Sequence, residues 1–193
     1  MPKTKQFDET EVLKKARDVF WKKGYNGTSM DELVQATGLS RSSIYDSFTD
    51  KHGLYIKALQ CYQQAQEQSL NESIPGKLSG RKKIECFFKN IINDSLNDKQ
   101  RKGCFMLNSA TEMANVDSNV NKTVVNNMEM IEDLFMSWVK EGQASGEISK
   151  RFTAKAIARH LLSSLNGMKL VAQTRPDKLL LKDILELSLS VLD

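Results

Sequence analysis

Two stretches of the sequence hold side chains whose types and spacing suit specific chemistry. Ser40-Arg41-Ser42-Ser43-Ile44-Tyr45-Asp46-Ser47, followed by Lys51, places small hydroxyls, one guanidinium, a phenol, a carboxylate and an ammonium within twelve residues. Such groups make hydrogen bonds to base edges and phosphate oxygens and are poorly suited to breaking covalent bonds. The second stretch is Arg101-Lys102-Gly103-Cys104. A thiol that opens a helix behind two cations is stabilised as thiolate, which suits sensing of oxidants or electrophiles. The plainer reading of Cys104 is a small buried residue, because cysteine is among the most buried residue types.

Other chemistry is thinly represented. The histidines are His52 and His160, with no H-E-x-x-H, G-x-G-x-x-G, P-loop or G-x-S-x-G pattern around them or elsewhere. The expectation is a protein that is not an enzyme and has no metal site and no cofactor. The three cysteines, Cys61, Cys86 and Cys104, are widely spaced without a C-x-x-C. That pattern disfavours a disulfide framework or structural zinc and suits a reducing cytoplasm. Cys61 and Cys86 read as core.

The elements that must position these groups are helices. Among 193 residues there are 3 Pro and 10 Gly, too few for a linker-rich or collagen-like chain. With 40% hydrophobic and 27% charged residues and a net charge of +4, the chain can bury a core and stay folded. The start, Met1 to Glu9, has basic residues but no apolar stretch behind them, unlike a signal peptide. No segment approaches the roughly 20 apolar residues of a membrane span, so no membrane partner is expected.

Hydrophobic periodicity predicts about nine helices and no strands. Asp8-x-x-Glu11 reads as a capping box before Val12, Leu13, Ala16, Val19 and Phe20 on one face, with Gly24 as a stop. Trp21, on the opposite side, reads as a contact to a neighbouring helix. Thr28-Ser29 signal a second N-terminus, Gly38 breaks that helix, and Ser40 caps a third from Arg41 to Phe48 with Ile44 and Phe48 as core. A longer helix runs from Lys51 to about Leu70. Beyond Pro75-Gly76 the pattern predicts helices at about 82–96, 104–114, 118–145, 153–172 and 177–192. Two short helices joined by a glycine-containing turn are a helix-turn-helix signature.

Residues 16–55 carry Phe20, Gly24-Tyr25, Thr28, Leu33, Gly38-Leu39-Ser40, Tyr45, Phe48 and Lys51, in that order and spacing. This stretch resembles the DNA-binding domain of the TetR family of bacterial transcription regulators. The resemblance implies an all-α chain with a helix-turn-helix head at 1–50 and a ligand-binding and dimerisation body at 51–193. It implies a regulator, most often a repressor, released from a double-stranded, pseudo-palindromic operator by a small, largely apolar effector. Thr28, Tyr45 and Lys51 correspond to common phosphate contacts of the family. Ser40, Arg41, Ser42, Ser43, Asp46 and Ser47 complete the DNA-facing set, with Arg41 able to reach guanine or phosphate. Asp46 and Ser47 stand where many family members carry a large aromatic residue or His. Residues 1–60 hold 10 Lys/Arg against 8 Asp/Glu, a net of +2, so charge must be placed rather than massed.

The body has two further expectations. The segments 153–172 and 177–192 are apolar nearly all round, which predicts a homodimer four-helix bundle through Leu161, Leu165, Met168, Leu181, Ile184, Leu185 and Leu189. An effector pocket is expected from Phe87, Ile91, Cys104, Met106, Asn108, Met128, Phe135 and Trp138, because adaptable methionines and aromatics suit a loosely defined cavity. Asn108, Ser109 and Glu112 are the candidate polar orienting groups. The alternatives are an adaptor module without DNA binding, and a regulator acting through a reactive Cys104.

Overall fold

The structure is a computed structural model and describes residues 7–193. The opening residues 1–6, part of the segment read as unlike a signal peptide, lie outside it. Among the described residues there are nine α-helices, a terminal 3-10 turn and no strand. They are α1 (Glu9–Lys23), α2 (Met30–Thr37), α3 (Arg41–Phe48), α4 (Lys51–Ser73), α5 (Gly80–Asn97), α6 (Phe105–Met113), α7 (Ser118–Ser145), α8 (Ala154–Thr174) and α9 (Lys178–Leu189). No helix among the described residues is long and apolar enough to cross a membrane.

Local chemistry sets the helix ends. Asp8 caps α1 by accepting the Thr10 and Glu11 N–H groups. The Glu11 carboxylate, expected to close a capping box, bonds Lys14 Nζ at 2.8 Å. A complete capping box stands at α2, where Ser29 Oγ accepts the Glu32 N–H and Glu32 accepts the Ser29 N–H. Gly38 ends α2 in the left-handed conformation, φ 75°, which a side chain would strain.

The chain packs as two compact units that do not follow chain order. Among the described residues, unit 1 runs to residue 66 and takes in 105–124, and unit 2 comprises 67–104 with 125–193. Helices α4 and α7 each continue from one unit into the other. The α1–α4 segment therefore shares unit 1 with α6 and the first turns of α7.

In unit 1, Ala16, Phe20, Leu33, Ile44, Leu54, Tyr55, Ala58 and Leu59 are fully buried. Phe20 meets Tyr55 edge-on with ring centroids 4.9 Å apart, and Tyr55 meets Phe105 at 5.7 Å. Trp21 stacks its edge on Tyr62 at 4.9 Å, so it is a helix-to-helix contact as its position predicted. In unit 2, Ile84, Phe88, Phe135, Val139, Ala158, Leu161, Leu165 and Leu181 form one fully buried cluster drawn from α5, α7, α8 and α9. Gly80 lets α5 cross α7 closely: a Cβ there would lie 2.0 Å from the Trp138 carbonyl oxygen. Cys61 and Cys86, expected in the core, are only half-buried. Cys86 Sγ is 3.9 Å from both the Ser73 carbonyl and Asn90 Nδ2, a polar setting at the edge of the packing.

Candidate nucleic-acid interface

Helix α3 stands on two anchors, Ile44 and Phe48, at four-residue spacing on its buried face. The opposite face is left to solvent: Arg41, Ser42, Tyr45 and Asp46 are exposed, and Ser43 and Ser47 half-exposed. Ser40 caps the helix, its Oγ accepting the Ser43 N–H at 3.1 Å and lying 2.9 Å from the hydroxyls of Ser42 and Ser43. The small side chains let backbone approach a surface, and the capped N-terminus turns its remaining N–H groups and positive dipole end outward.

Arg41 is not loose on that surface. Its guanidinium bonds Asp31 of α2 at 2.7 Å, which raises its already high pKa. The pair is well exposed, so it orients more than it stabilises. Lys51 opens α4 with its ammonium 4.4 Å above the Tyr25 ring, a cation-π contact. Between α3 and α4 the chain makes a three-residue turn about Thr49, φ 73°, ψ −53°, closed by the Asp50 N–H to the Phe48 carbonyl at 2.9 Å. A β-branched residue there is strained, and the strain sits between Tyr45 and Lys51. Thr28 differs from its neighbours. It is buried, and its hydroxyl donates to the Gly24 carbonyl at 2.6 Å, so Ser29 takes the capping role.

The α1–α2 turn behind this surface is fastened by a carboxylate that sequence reading assigned elsewhere. Glu112 of α6 accepts the Tyr25 N–H at 3.0 Å and the Asn26 N–H at 2.8 Å. Gly24, φ 74°, leaves the room: a Cβ there would lie 2.6 Å from Glu112 Oε2. Ser109, another expected orienting group, accepts from the buried Tyr55 hydroxyl at 2.7 Å and donates to the Phe105 carbonyl. Burial pushes Tyr55 up to about 12. His52 Nε2 sits 2.6 Å from Asp117 Oδ2. The Asp117 carboxyl is held below its usual range, first by the Val120 N–H it accepts and also by His52.

The remaining expected residues divide between the units. Phe87, Phe135 and Trp138 meet in unit 2, with centroids 5.2 Å apart for Phe87–Phe135 and 6.0 Å for each ring with Trp138. Ile91 packs half-buried against the same cluster, and Met128 is half-buried on α7. Cys104 also belongs to unit 2 and is buried, its Sγ 3.9 Å from Lys169 Nζ. Met106 and Asn108 belong to unit 1.

Most of the expected dimer residues lie inside the single chain. Leu161, Leu165, Met168 and Leu181 are covered within one chain, Leu185 nearly so, and Ile184 and Leu189 are half-buried. The most apolar stripes of α8 and α9 face α5 and α7, which consume them as intrachain core.

Comparison with known proteins decides the family. The family model for bacterial regulatory proteins of the tetR family matches residues 12–58, and that for the tetracyclin repressor-like C-terminal domain matches residues 80–186. The chain belongs to the TetR family. It is a transcriptional regulator whose head is the helix-turn-helix α2–α3. The uncharacterized HTH-type transcriptional regulator YezE of Bacillus subtilis (strain 168) is 29% identical over 194 residues, 100% of both chains. The HTH-type transcriptional repressor ComR of Escherichia coli (strain K12) is 29% identical over 176 residues, 88% of this chain and 81% of that one. A cysteine mutant of the TetR family regulator CifR, solved with 26 bp double-strand operator DNA, shares the fold with a TM-score of 0.86. It is 23% identical and covers 99% of this chain and 100% of that chain.

Proposed function

We propose that this TetR-family regulator is a cytoplasmic repressor that binds a pseudo-palindromic operator as a homodimer and leaves it when a small, largely apolar effector occupies unit 2. The observation that carries the DNA half is the outward face of α3: a capped N-terminus with Arg41, Ser42, Tyr45 and Asp46 exposed above a buried Ile44–Phe48 anchor. Arg41, Ser42, Ser43, Asp46 and Ser47 read bases, while Ser40, Tyr45 and Lys51 hold phosphates. Thr28 serves through its backbone position at the α2 N-terminus, its hydroxyl being spent on Gly24. The repressor relative from Escherichia coli and the operator complex of the structural neighbour support the same reading. The experiment is selection of bound duplexes from a random pool, followed by salt titration and displacement with a compound panel. Binding to one inverted-repeat sequence, weakening steeply with salt, is expected. An adaptor without DNA binding would select nothing.

The homodimer rests on the outer faces of α8 and α9. Ala156, His160, Ser163, Gly167, Leu170 and Thr174 recur at alternating four- and three-residue steps, and all six are exposed. That is the seam spacing of paired helices. Leu179 and Leu187 of α9 are about three-quarters exposed. Gly167 costs helix stability of roughly 1 kcal/mol relative to alanine, which close approach of a second helix explains. A Cβ at Gly167 would meet nothing within 4 Å in its own chain, so Gly167→Glu is expected to leave the fold intact and give monomers on sedimentation. Two heads held roughly 34–36 Å apart would meet successive major-groove faces.

Effector release is a two-state equilibrium in which α4 and α7, the helices common to both units, carry the change. Coupling of about 1–3 kcal/mol changes operator affinity some 5–150-fold, and operator weakens effector by the same factor. A second reading is favoured by one contact. Cys104 Sγ lies 3.9 Å from the Lys169 ammonium, which suits a reactive thiol. Labelling of Cys104 no faster than a model thiol, against a Cys104→Ser control, removes that reading.

A further inference from the structure

On helix α7, Asn127, Ile131, Phe135 and Trp138 fall on one line, a stripe with spacings of four, four and three residues. The last three are spent on packing. Ile131 lies against the central cluster, and Phe135 and Trp138 both meet Phe87. Asn127, one turn before Ile131, interrupts the stripe with an amide. It is only 4% exposed. Its side-chain nitrogen is shut off from solvent and has no hydrogen-bond partner among the described residues.

An amide donor buried without an acceptor weakens the fold, because its hydrogen bonds to water are lost and nothing replaces them. Native interiors pair the great majority of such groups, and the exceptions call for an explanation. The other two atoms in the same condition are explained locally. His52 Nε2 has Asp117 beside it, and Ser79 Oγ sits at the α5 N-cap, a position where hydroxyls recur even when the bond is not closed. Asn127 stands in mid-helix, where it caps nothing. Leucine would fill the stripe at no polar cost, so packing does not account for the amide.

We infer that Asn127 is the polar anchor of the effector site, and that the effector is a neutral, mostly apolar small molecule carrying a carbonyl-type oxygen that accepts the Asn127 Nδ2–H. The inference rests on the effector reading given above and adds the class of ligand. Neutrality follows from the residues flanking the stripe. The charges of this part of α7, Lys122, Glu129, Asp133 and Lys140, are exposed, and the half-buried Glu132 bonds Arg159 at 3.1 Å. A charged ligand on the Ile131–Phe135 side would be desolvated without a counter-charge from this helix. A carbonyl oxygen needs one donor, and the stripe supplies one beside the adaptable, half-buried Met128.

The test uses the full-length protein and isosteric pairs that differ only in oxygen against methylene: acetophenone with α-methylstyrene, cyclohexanone with methylenecyclohexane, and 1-indanone with 1-methyleneindane. Binding is read by calorimetry on the wild type, on Asn127→Leu, and on Asn127→Ala in case leucine is too large to fold. The expected result is that in at least one pair the ketone binds about tenfold tighter than its hydrocarbon, the worth of one hydrogen bond. That preference should vanish in both variants while hydrocarbon binding is kept or improved. Equal binding within every pair, as when a buried water already satisfies the amide, overturns the anchor but leaves the pocket standing. A ketone preference that survives in both variants does the same. Binding of no compound of either kind overturns the effector-site reading in unit 2 and the anchor with it.

Discussion

The two units are held together by different physics. Unit 1 is registered by directional polar bonds laid over aromatic contacts. Glu112 takes two backbone N–H groups of the α1–α2 turn, Tyr55 bonds Ser109, and Asp117 caps α7 beside His52. Unit 2 is held mainly by shape. Its cluster draws on four helices, with Phe87, Phe135 and Trp138 at its aromatic centre and a buried amide left unsatisfied on one edge. Directional bonds fix an orientation to fractions of an ångström, as a surface that must match a nucleic-acid groove requires. Dispersion and burial are tolerant of what fills the space, as a site for a small apolar molecule requires. One chain thus puts directional precision beneath the helix-turn-helix and shape-based, tolerant packing in unit 2.

That contrast can be broken most forcefully in the unit 2 core. Phe135→Ala removes a fully buried ring that touches three aromatic neighbours and is expected to cost about 3–5 kcal/mol, read as a shift in urea midpoint. A cost under about 1 kcal/mol would mean the cluster is not the source of stability. Next comes Glu112→Ala. It strips a charged acceptor from two N–H groups and should cost about 1.5–3 kcal/mol, with operator affinity falling because the turn loosens. Glu112→Gln should recover part of both, since an amide oxygen still accepts.

Within the head, base readers and phosphate holders should separate. Arg41→Ala is expected to lose about 1–3 kcal/mol of discrimination at one base pair, visible as a changed consensus in duplex selection. Lys51→Ala should weaken all duplexes alike and reduce the salt slope by about 1. Unchanged affinity for Lys51→Ala would remove α4 from the phosphates. The smallest effect is electrostatic. The Asp117 carboxyl is held low by the Val120 N–H and by His52, and Glu32 is held down to about 2 by Lys23 and Ser29. Because the folded values are depressed, their contributions are present above the ordinary carboxylate range, about 4, and are lost as pH falls through the folded values. Urea midpoints should decline on acidification below that range. The Asp117→Asn curve should start lower at neutral pH and decline less.

The head was largely legible from the chain. Arg41–Phe48 as a helix, Ser40 and Asp8 as caps, Gly24 and Gly38 as stops, and Ile44 with Phe48 as anchors all follow from rules that act within four residues. What lay beyond such reach was not legible. Glu112 and Ser109 read as ligand-orienting groups because their partners, Tyr25, Asn26 and Tyr55, are 54 to 87 residues away. The α8 and α9 leucines read as a dimer face because composition shows how much apolar surface a helix carries and not which neighbour covers it. Asn127 gave no signal at all, since a lone asparagine in a helix is ordinarily a solvated one.

The sequence by itself determined nine helices, their caps and stops, the helix-turn-helix and the polar face of α3, because each depends on neighbours along the chain. Only the tertiary structure decided that α6 fastens the α1–α2 turn, that α5 and α7 cover the leucines of α8 and α9, and that the Asn127 amide is sealed from water. Those outcomes depend on which distant surfaces exclude solvent together, and burial is a property of the packed chain that no local pattern of residues specifies.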